Sequence, residues 1–426
     1  MKIDKLSYDR LLLIIIIITS LIVLNLLSNK FFAIYFVQYI FVIFIYSKLE
    51  KTTSSILVVF YPVFKIFWYS LYSDNWYVTG DVINYMTLLS NTFVENGLNL
   101  DTISLINGNY VRYYYLTVIN ILYPMIKYNI DFGSSDMIYL LYFNDIIYLL
   151  FLAWVTIEYK IIFRDKEINF LVIFMLLSPS MLAFTAINDR HMFTLFGLLL
   201  LAKSIFEYNN TKKVSLLLII SLLIIYLNKK ELLIGFSLYL LIINREKLFS
   251  GKNIVIFGFL VLSLVFLFKS TILHYISAQG FKTTGISQDL GLLSSILIIP
   301  IKYLYAMLAP FPWFKLEDFI GGYYGSYLVL LSWFANSIFS FVLFYILMTN
   351  RSKYRDSKYY SSHILLGVVM TLTIVFGSIG HAQYLTVYYP LLIPLFFTLN
   401  QKEYFKAISL SIFTLVTFNG IAFFTY

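Results

Sequence analysis

Residues 212–247 decide the fold: KK, then VSLLLIISLLIIYL (214–227), NKKE (228–231), LLIGFSLYLLII (232–243) and NREK (244–247). The two apolar runs hold no charged residue and read as helices. At 1.5 Å per residue they reach about 21 and 18 Å, short of a hydrocarbon core of about 30 Å. Lys212 and Lys213 precede the pair, and Arg245 and Lys247 follow it, so basic residues flank it on one side. The expectation is a recessed helical hairpin with Lys229, Lys230 and Glu231 lining a cavity at its tip. Cations persist at such depth only beside anions. Lysines snorkelling from slightly longer helices are the alternative.

Outward from the hairpin the same pattern recurs. The 426-residue chain is 60% hydrophobic and 12% charged, with a mean hydropathy of +0.82. That composition belongs to polytopic membrane proteins. Apolar runs cover 11–27, 31–46, 56–72, 137–157, 168–186, 192–206, 214–227, 232–243, 254–268, 327–348, 364–379, 386–397 and 407–424, with two weaker ones at 113–125 and 292–308. No polar domain, low-complexity linker or internal repeat interrupts them. The fold class expected is all-α: a single polytopic integral membrane domain over 1–426 with about 11–14 transmembrane helices. The run 11–27 follows a basic start without a small-residue cleavage site and reads as a retained first helix.

Lysine and arginine set the orientation. The basic loops hold Lys2/Lys5/Arg10, Lys48/Lys51, Lys160/Arg164/Lys166, Lys212/Lys213, Arg245/Lys247/Lys252, Arg351/Lys353/Arg355/Lys358 and Lys402/Lys406. If each firm run crosses once, all of them face the cytoplasm. A crossing by 113–125 or 292–308 would turn a basic loop outward, so both weaker runs are read as interfacial helices. Two larger extracytoplasmic loops follow, 73–136 and 269–326. The net charge of +9 then reports orientation and contact with anionic lipid, not nucleic-acid binding.

The polar residues that remain on the outer face are the candidate site. Asp81 in Gly80-Asp81 shares a helix face with Tyr85 and reads either as a general base toward a sugar hydroxyl or as a helix cap. The Asn188-Asp189-Arg190-His191 turn offers a planar guanidinium suited to phosphate; a tight polar loop is the plain alternative, and His191 reads as a loop residue. Arg112 reads as a headgroup or pyrophosphate contact, or as an interfacial anchor beside its tyrosines. His381 and Tyr384 open a late helix. With no cysteine and no paired histidines, thiolate catalysis and zinc ligation have no support. No metal or cofactor is expected.

Several short motifs, in order, resemble bacterial O-antigen or capsule repeat-unit polymerases of the Wzy type. They are Gly80-Asp81-x-x-x-Tyr85, the Asn107–Tyr110 approach, Asn144-Asp145, Ser178-Pro179, Asp189-Arg190, Lys229-Lys230 and the Tyr384 to Pro394 stretch, Tyr-x-x-x-Tyr-Tyr-Pro-x-x-x-Pro. The chain departs from the pattern in placing His191 after Arg190 and in carrying His381 and Gln383 where an arginine is commoner. The resemblance implies an enzyme of the bacterial inner membrane that joins undecaprenyl-pyrophosphate-linked oligosaccharide repeats at the outer face. Asp81 and Arg190 are then catalytic; Tyr85, Arg112, Asp189, Lys229, Lys230, Glu231, His381 and Tyr384 bind substrate. The partners implied are the lipid-linked oligosaccharide, membrane lipids and a chain-length regulator protein, without nucleic acid. Two rivals stay open: a GT-C glycosyltransferase using a polyprenyl-phosphate sugar, and a flippase for lipid-linked glycans.

Overall fold

The computed structural model describes residues 29–50, 53–65, 138–178, 181, 191–229, 231–245, 327–377 and 385–425. Every regular element among them is helical, which agrees with the all-α expectation. The expected runs 11–27, 113–125, 254–268 and 292–308 and the loops 73–136 and 269–326 lie outside these residues. The longer helices are α1 (Asn29–Lys48), α2 (Ile138–Tyr159), α3 (Asp165–Leu177), α4 (His191–Thr211), α5 (Leu216–Lys229), α6 (Leu232–Ile243), α7 (Tyr327–Thr349), α8 (Leu366–Gly377) and α9 (Gln401–Thr425). The chain divides into two compact units, Met1–Asp189 with Ile320–Val329, and Arg190–Phe319 with Leu330–Tyr426.

In the first unit α1 and α2 run parallel. Gln38 meets Asp145, and further along both helices the Lys160 ammonium donates to the Lys48 carbonyl at 2.8 Å. A helix that must return to the same side before pairing needs an intervening segment, which here is the chain between α1 and α2. Asp165 and Glu167 sit in the first turn of α3, where carboxylates favour the helix dipole. Glu167 also accepts the Arg164 backbone N–H at 2.9 Å, satisfying a donor that the helix leaves open. Tyr148 ties α2 to α3 through a hydrogen bond to the Met175 carbonyl at 2.8 Å.

The second unit is built on antiparallel neighbours. Thr211 ends α4, Lys212 takes a left-handed conformation with φ 59°, and α5 returns along α4. Gly197 of α4 marks the close approach: a Cβ there would lie 3.0 Å from side-chain atoms of Ile224 and Ile225. Gly235 of α6 faces Met370 and Thr373 of α8 in the same way, at 3.1 and 2.5 Å. Toward the other end of the pair, Ile243 and Leu365 line one cavity, so α6 and α8 are antiparallel as well.

Two expected helices are corrected. The run 168–186 yields α3 only as far as Leu177, because Ser178 turns extended (φ −66°, ψ 137°) ahead of Pro179, which disfavours a helical residue before it. The run 386–397 is a short α-helical turn, Tyr389–Leu392, followed by the 3-10 helix Ile393–Thr398. Pro390 and Pro394 each remove an N–H from the ladder there. Elsewhere α1, α2, α5, α6 and α7 follow the expected runs closely.

The expectation of spanning helices is also qualified: no helix among the described residues is long and apolar enough to cross a membrane. The hairpin helices α5 and α6 have 14 and 12 residues. In α4 the last turns carry Lys203, Glu207, Asn209 and Asn210. The surface is nevertheless apolar in stripes. On α5 Leu216, Ile219 and Leu223 are 69%, 61% and 53% exposed, at a spacing that puts them on one helix face. Phe36 and Ile40 on α1, and Phe413 and Val416 on α9, are likewise exposed.

Candidate functional site

The registers just described bring three chain positions to one end of the second unit. Gly197 lies level with Ile224 and Ile225, so the start of α4 at His191 lies level with the α5–α6 tip. Gly235 lies level with Met370 and Thr373, so the end of α8 at Gly377 lies near that same tip. His191 follows Arg190 directly, and Gly377 precedes His381 by four residues.

The tip itself carries charge. Lys229 closes α5 and Glu231 precedes α6, and both are half-buried. The Asn228 amide folds back onto the Ile224 carbonyl at 2.7 Å, which turns the polar end of the helix inward on its own backbone. Glu231 keeps helical dihedrals (φ −61°, ψ −28°) and its carbonyl accepts the Ile234 N–H at 3.1 Å, so the chain reverses in very few residues. The two short helices expected from the sequence are present, and Lys229 and Glu231 flank the turn between them. Of the candidate residues, Lys229 and Glu231 are the two described. Asp81, Tyr85, Arg112, Asp189, Arg190, Lys230, His381 and Tyr384 lie outside the described residues.

The stretch after Tyr384 is anchored by buried polar contacts. Thr386 donates to the Asn336 side-chain oxygen at 3.1 Å, and the Tyr389 hydroxyl donates to the Asn336 carbonyl at 3.2 Å. Ser340 shares a short hydrogen bond with the same hydroxyl. Leu392 packs against Gly367 of α8, where a Cβ would come within 2.7 Å of Leu392 Cδ2. Proline breaks the helix here, and α7 supplies partners for the polar groups of the broken segment.

The opposite end of the second unit is basic. It carries Lys212 and Lys213 at the α4–α5 turn, Arg245 after α6, and Arg351, Lys353, Arg355 and Lys358 between α7 and α8. Asn209 reaches Ser361 at 2.9 Å, and Lys353 pairs with Glu403 at the start of α9. In the described part of this unit, then, one pole gathers cations and the other holds the mixed-charge tip.

Sequence reading missed a buried charge cluster in the first unit. Lys65 and Asp145, both fully buried, form an ion pair at 3.3 Å. The Tyr61 hydroxyl donates to the same carboxylate oxygen at 2.7 Å, and Gln38 donates to the other at 3.1 Å. A carboxylate saturated in this way is held in one orientation, and each donor in turn is compensated. The signal was present in the sequence: Lys65 is a lone cation within the apolar run 56–72, and Asp145 a lone anion within 137–157. Each implies a partner. Asp145 entered above only as part of the motif Asn144-Asp145.

Comparison with protein-family models, with curated proteins and with solved structures returned no match to this chain.

Proposed function

We propose that the chain is a polytopic membrane enzyme that joins oligosaccharide repeat units carried on undecaprenyl pyrophosphate, at the outer face of a bacterial inner membrane. The observation that carries this reading is the convergence in the second unit. The start of α4 (next to Arg190), the tip bearing Lys229 and Glu231, and the end of α8 (just before His381) lie at the pole opposite the basic residues. Lysine and arginine concentrate on the cytoplasmic side of membrane proteins, so the tip pole is then extracytoplasmic. Exposed apolar residues on α1, α5 and α9 support a lipid environment. The parallel course of α1 and α2 fits a chain in which 113–125 does not cross.

The chemistry follows from the leaving group. The acceptor hydroxyl oxygen attacks the anomeric carbon of the donor glycan, forming a new C–O bond. The bond from that carbon to the pyrophosphate oxygen breaks, and its electron pair leaves with undecaprenyl pyrophosphate. Arg190, Lys229 and Lys230 stabilise the charge growing on that oxygen, and such fixed cations act far more strongly in a water-poor cleft than in bulk water. Asp81 takes the acceptor proton.

The test is the glycan made by a host that depends on this gene. An Arg190→Ala variant is expected to lose long polymer while still inserting in the membrane, because removal of one such contact costs about 10²–10³ in rate. Arg190→Lys restores part of the activity, since a point charge replaces a bidentate fork. Full-length polymer from the alanine variant would reduce Arg190 to a turn residue. Gene deletion is expected to leave lipid cores capped by a single repeat. Incomplete units would favour a sugar-adding enzyme instead, and bare cores a flippase.

A further inference from the structure

At the basic pole of the second unit the end of α6, the short helix Arg351–Arg355 and the π-helical turn Tyr360–Leu365 line an open cavity of about 320 Å³, whose arginines are solvent-exposed. Three guanidinium side chains line it, from Arg245, Arg351 and Arg355, together with Tyr354, Tyr360 and Ser361. Its remaining walls are Ile242, Ile243 and Leu365.

Like charges at this density repel. Arg351 and Arg355 sit one helical turn apart, a spacing at which two like charges destabilise a helix, and Arg245 adds a third from another helix. Among the described residues none of the three forms an ion pair. Of the acids near this segment, Glu403 is engaged by Lys353, and Asp356, which caps the short helix, is exposed. Three arginines therefore share one cavity without an ion-pair partner among the described residues, and the Tyr360 and Ser361 hydroxyls stand beside them as further donors. Tyr354 and Tyr360 stack with their ring centroids 6.1 Å apart, and the Tyr354 hydroxyl is held by the Leu347 carbonyl at 3.1 Å. The π turn, in which both His363 and Ile364 N–H groups point to the Tyr359 carbonyl, sets Tyr360 and Ser361 along the wall.

The aliphatic side of the cavity decides between a free anion and a lipid. Ile242 and Ile243 are 45% and 40% exposed at the end of a helix whose Leu238 and Leu240 are exposed as well. Arginine forks match phosphate oxygens bidentately, while an isoleucine rim beside them matches the first methylenes of acyl chains. We propose that this cavity binds the phosphate-bearing headgroup of an anionic phospholipid on the cytoplasmic side of the membrane. The proposal rests on the membrane placement in the reading above, and not on the polymerase reaction.

Reconstitution of the full chain into bilayer discs tests it. Discs of phosphatidylcholine with or without phosphatidylglycerol are compared, and the lipids that stay with the protein on detergent extraction are counted by native mass spectrometry. Wild type is expected to retain phosphatidylglycerol in preference to phosphatidylcholine. Arg351→Gln/Arg355→Gln loses that preference by about tenfold or more, as charge-assisted hydrogen bonds of 1.5–3 kcal/mol require. Arg351→Lys loses part of it, and Lys402→Gln/Lys406→Gln, which removes as much charge outside the cavity, leaves it intact. Equal retention in wild type and the double glutamine variant overturns the proposal. So does displacement of the lipid by millimolar inorganic phosphate, which would make the cavity a site for a free anion. A chain that enters discs but shows no preference refutes this site alone, whereas a chain that does not enter bilayers at all refutes the membrane placement with it.

Discussion

Truncation of Asp145 to alanine is expected to be among the most destabilising changes on the described surface or core. The carboxylate is fully buried and receives Tyr61 at 2.7 Å, Gln38 at 3.1 Å and Lys65 at 3.3 Å. Its removal leaves the Lys65 ammonium, itself with no exposed side-chain surface, without its charge partner. Breaking a buried pair from one side costs about 3–5 kcal/mol, and two neutral donors are orphaned besides. Asp145→Asn keeps an oxygen for Tyr61 but not the charge, and should fall between wild type and alanine. Exchange of both ionic partners, Lys65→Met with Asp145→Leu, should recover the part of the loss that comes from the unpaired charge, because apolar replacement of a buried pair is often neutral, while the Tyr61 and Gln38 donors stay unsatisfied. Unfolding of the purified protein in detergent, followed by tryptophan fluorescence against denaturant, gives the stabilities of wild type and the three variants. An Asp145→Ala cost below about 1 kcal/mol, or a double variant no more stable than Asp145→Ala, would show that the pair does not hold α2 to the segment carrying Tyr61 and Lys65.

Three further outcomes are expected. Gly235→Ala puts a Cβ 2.5 Å from the Thr373 hydroxyl, which is itself fixed on the Val369 carbonyl; overpacking of this kind costs about 1–3 kcal/mol, and an unchanged unfolding midpoint would contradict the α6–α8 register. Lys353, and then the Asn400 N–H, hold the exposed Glu403 carboxyl below its ordinary range. Its small contribution is therefore fully present above the unfolded carboxylate value of about 4.3 and is lost as pH falls through the lower folded value. The stability difference between wild type and Glu403→Gln should shrink across that window, and a difference independent of pH would argue against the contact. Reporter fusions at Ser90 and Gln288 should report an extracytoplasmic location and fusions at Ser250 and Ser357 a cytoplasmic one; a cytoplasmic signal at Ser90 would remove Asp81 from the proposed site.

Helix positions were legible where apolar runs end in charged or amide residues. The bounds of α5 and α6 follow from Lys212-Lys213, the Asn228–Glu231 tip and Arg245, because these groups resist burial within a run. The break after Leu177 was also written in the sequence, as Ser178-Pro179, but a long apolar continuation to Ala186 masked it. The late stretch hides its breaks for the same reason: Pro390 and Pro394 stand among apolar residues, and composition alone extends a helix through them. What could not be read was long-range pairing. Lys65 meets an aspartate and Arg245 joins Arg351 and Arg355 only through tertiary register, which periodicity along a single helix does not encode. The basic residues after α6 and α7 served as orientation signals, and nothing local said that they share a cavity.

The proposed activity is the formation of glycosidic bonds between preassembled units. The most direct measurement supplies purified protein in bilayer discs with repeat units on undecaprenyl pyrophosphate and separates the products by mass. The expected product is a ladder spaced by one repeat unit, with one undecaprenyl pyrophosphate released per bond and no requirement for added metal. Single-sugar addition from a polyprenyl-phosphate donor, or movement of intact units across the bilayer with no bond formed, would contradict it.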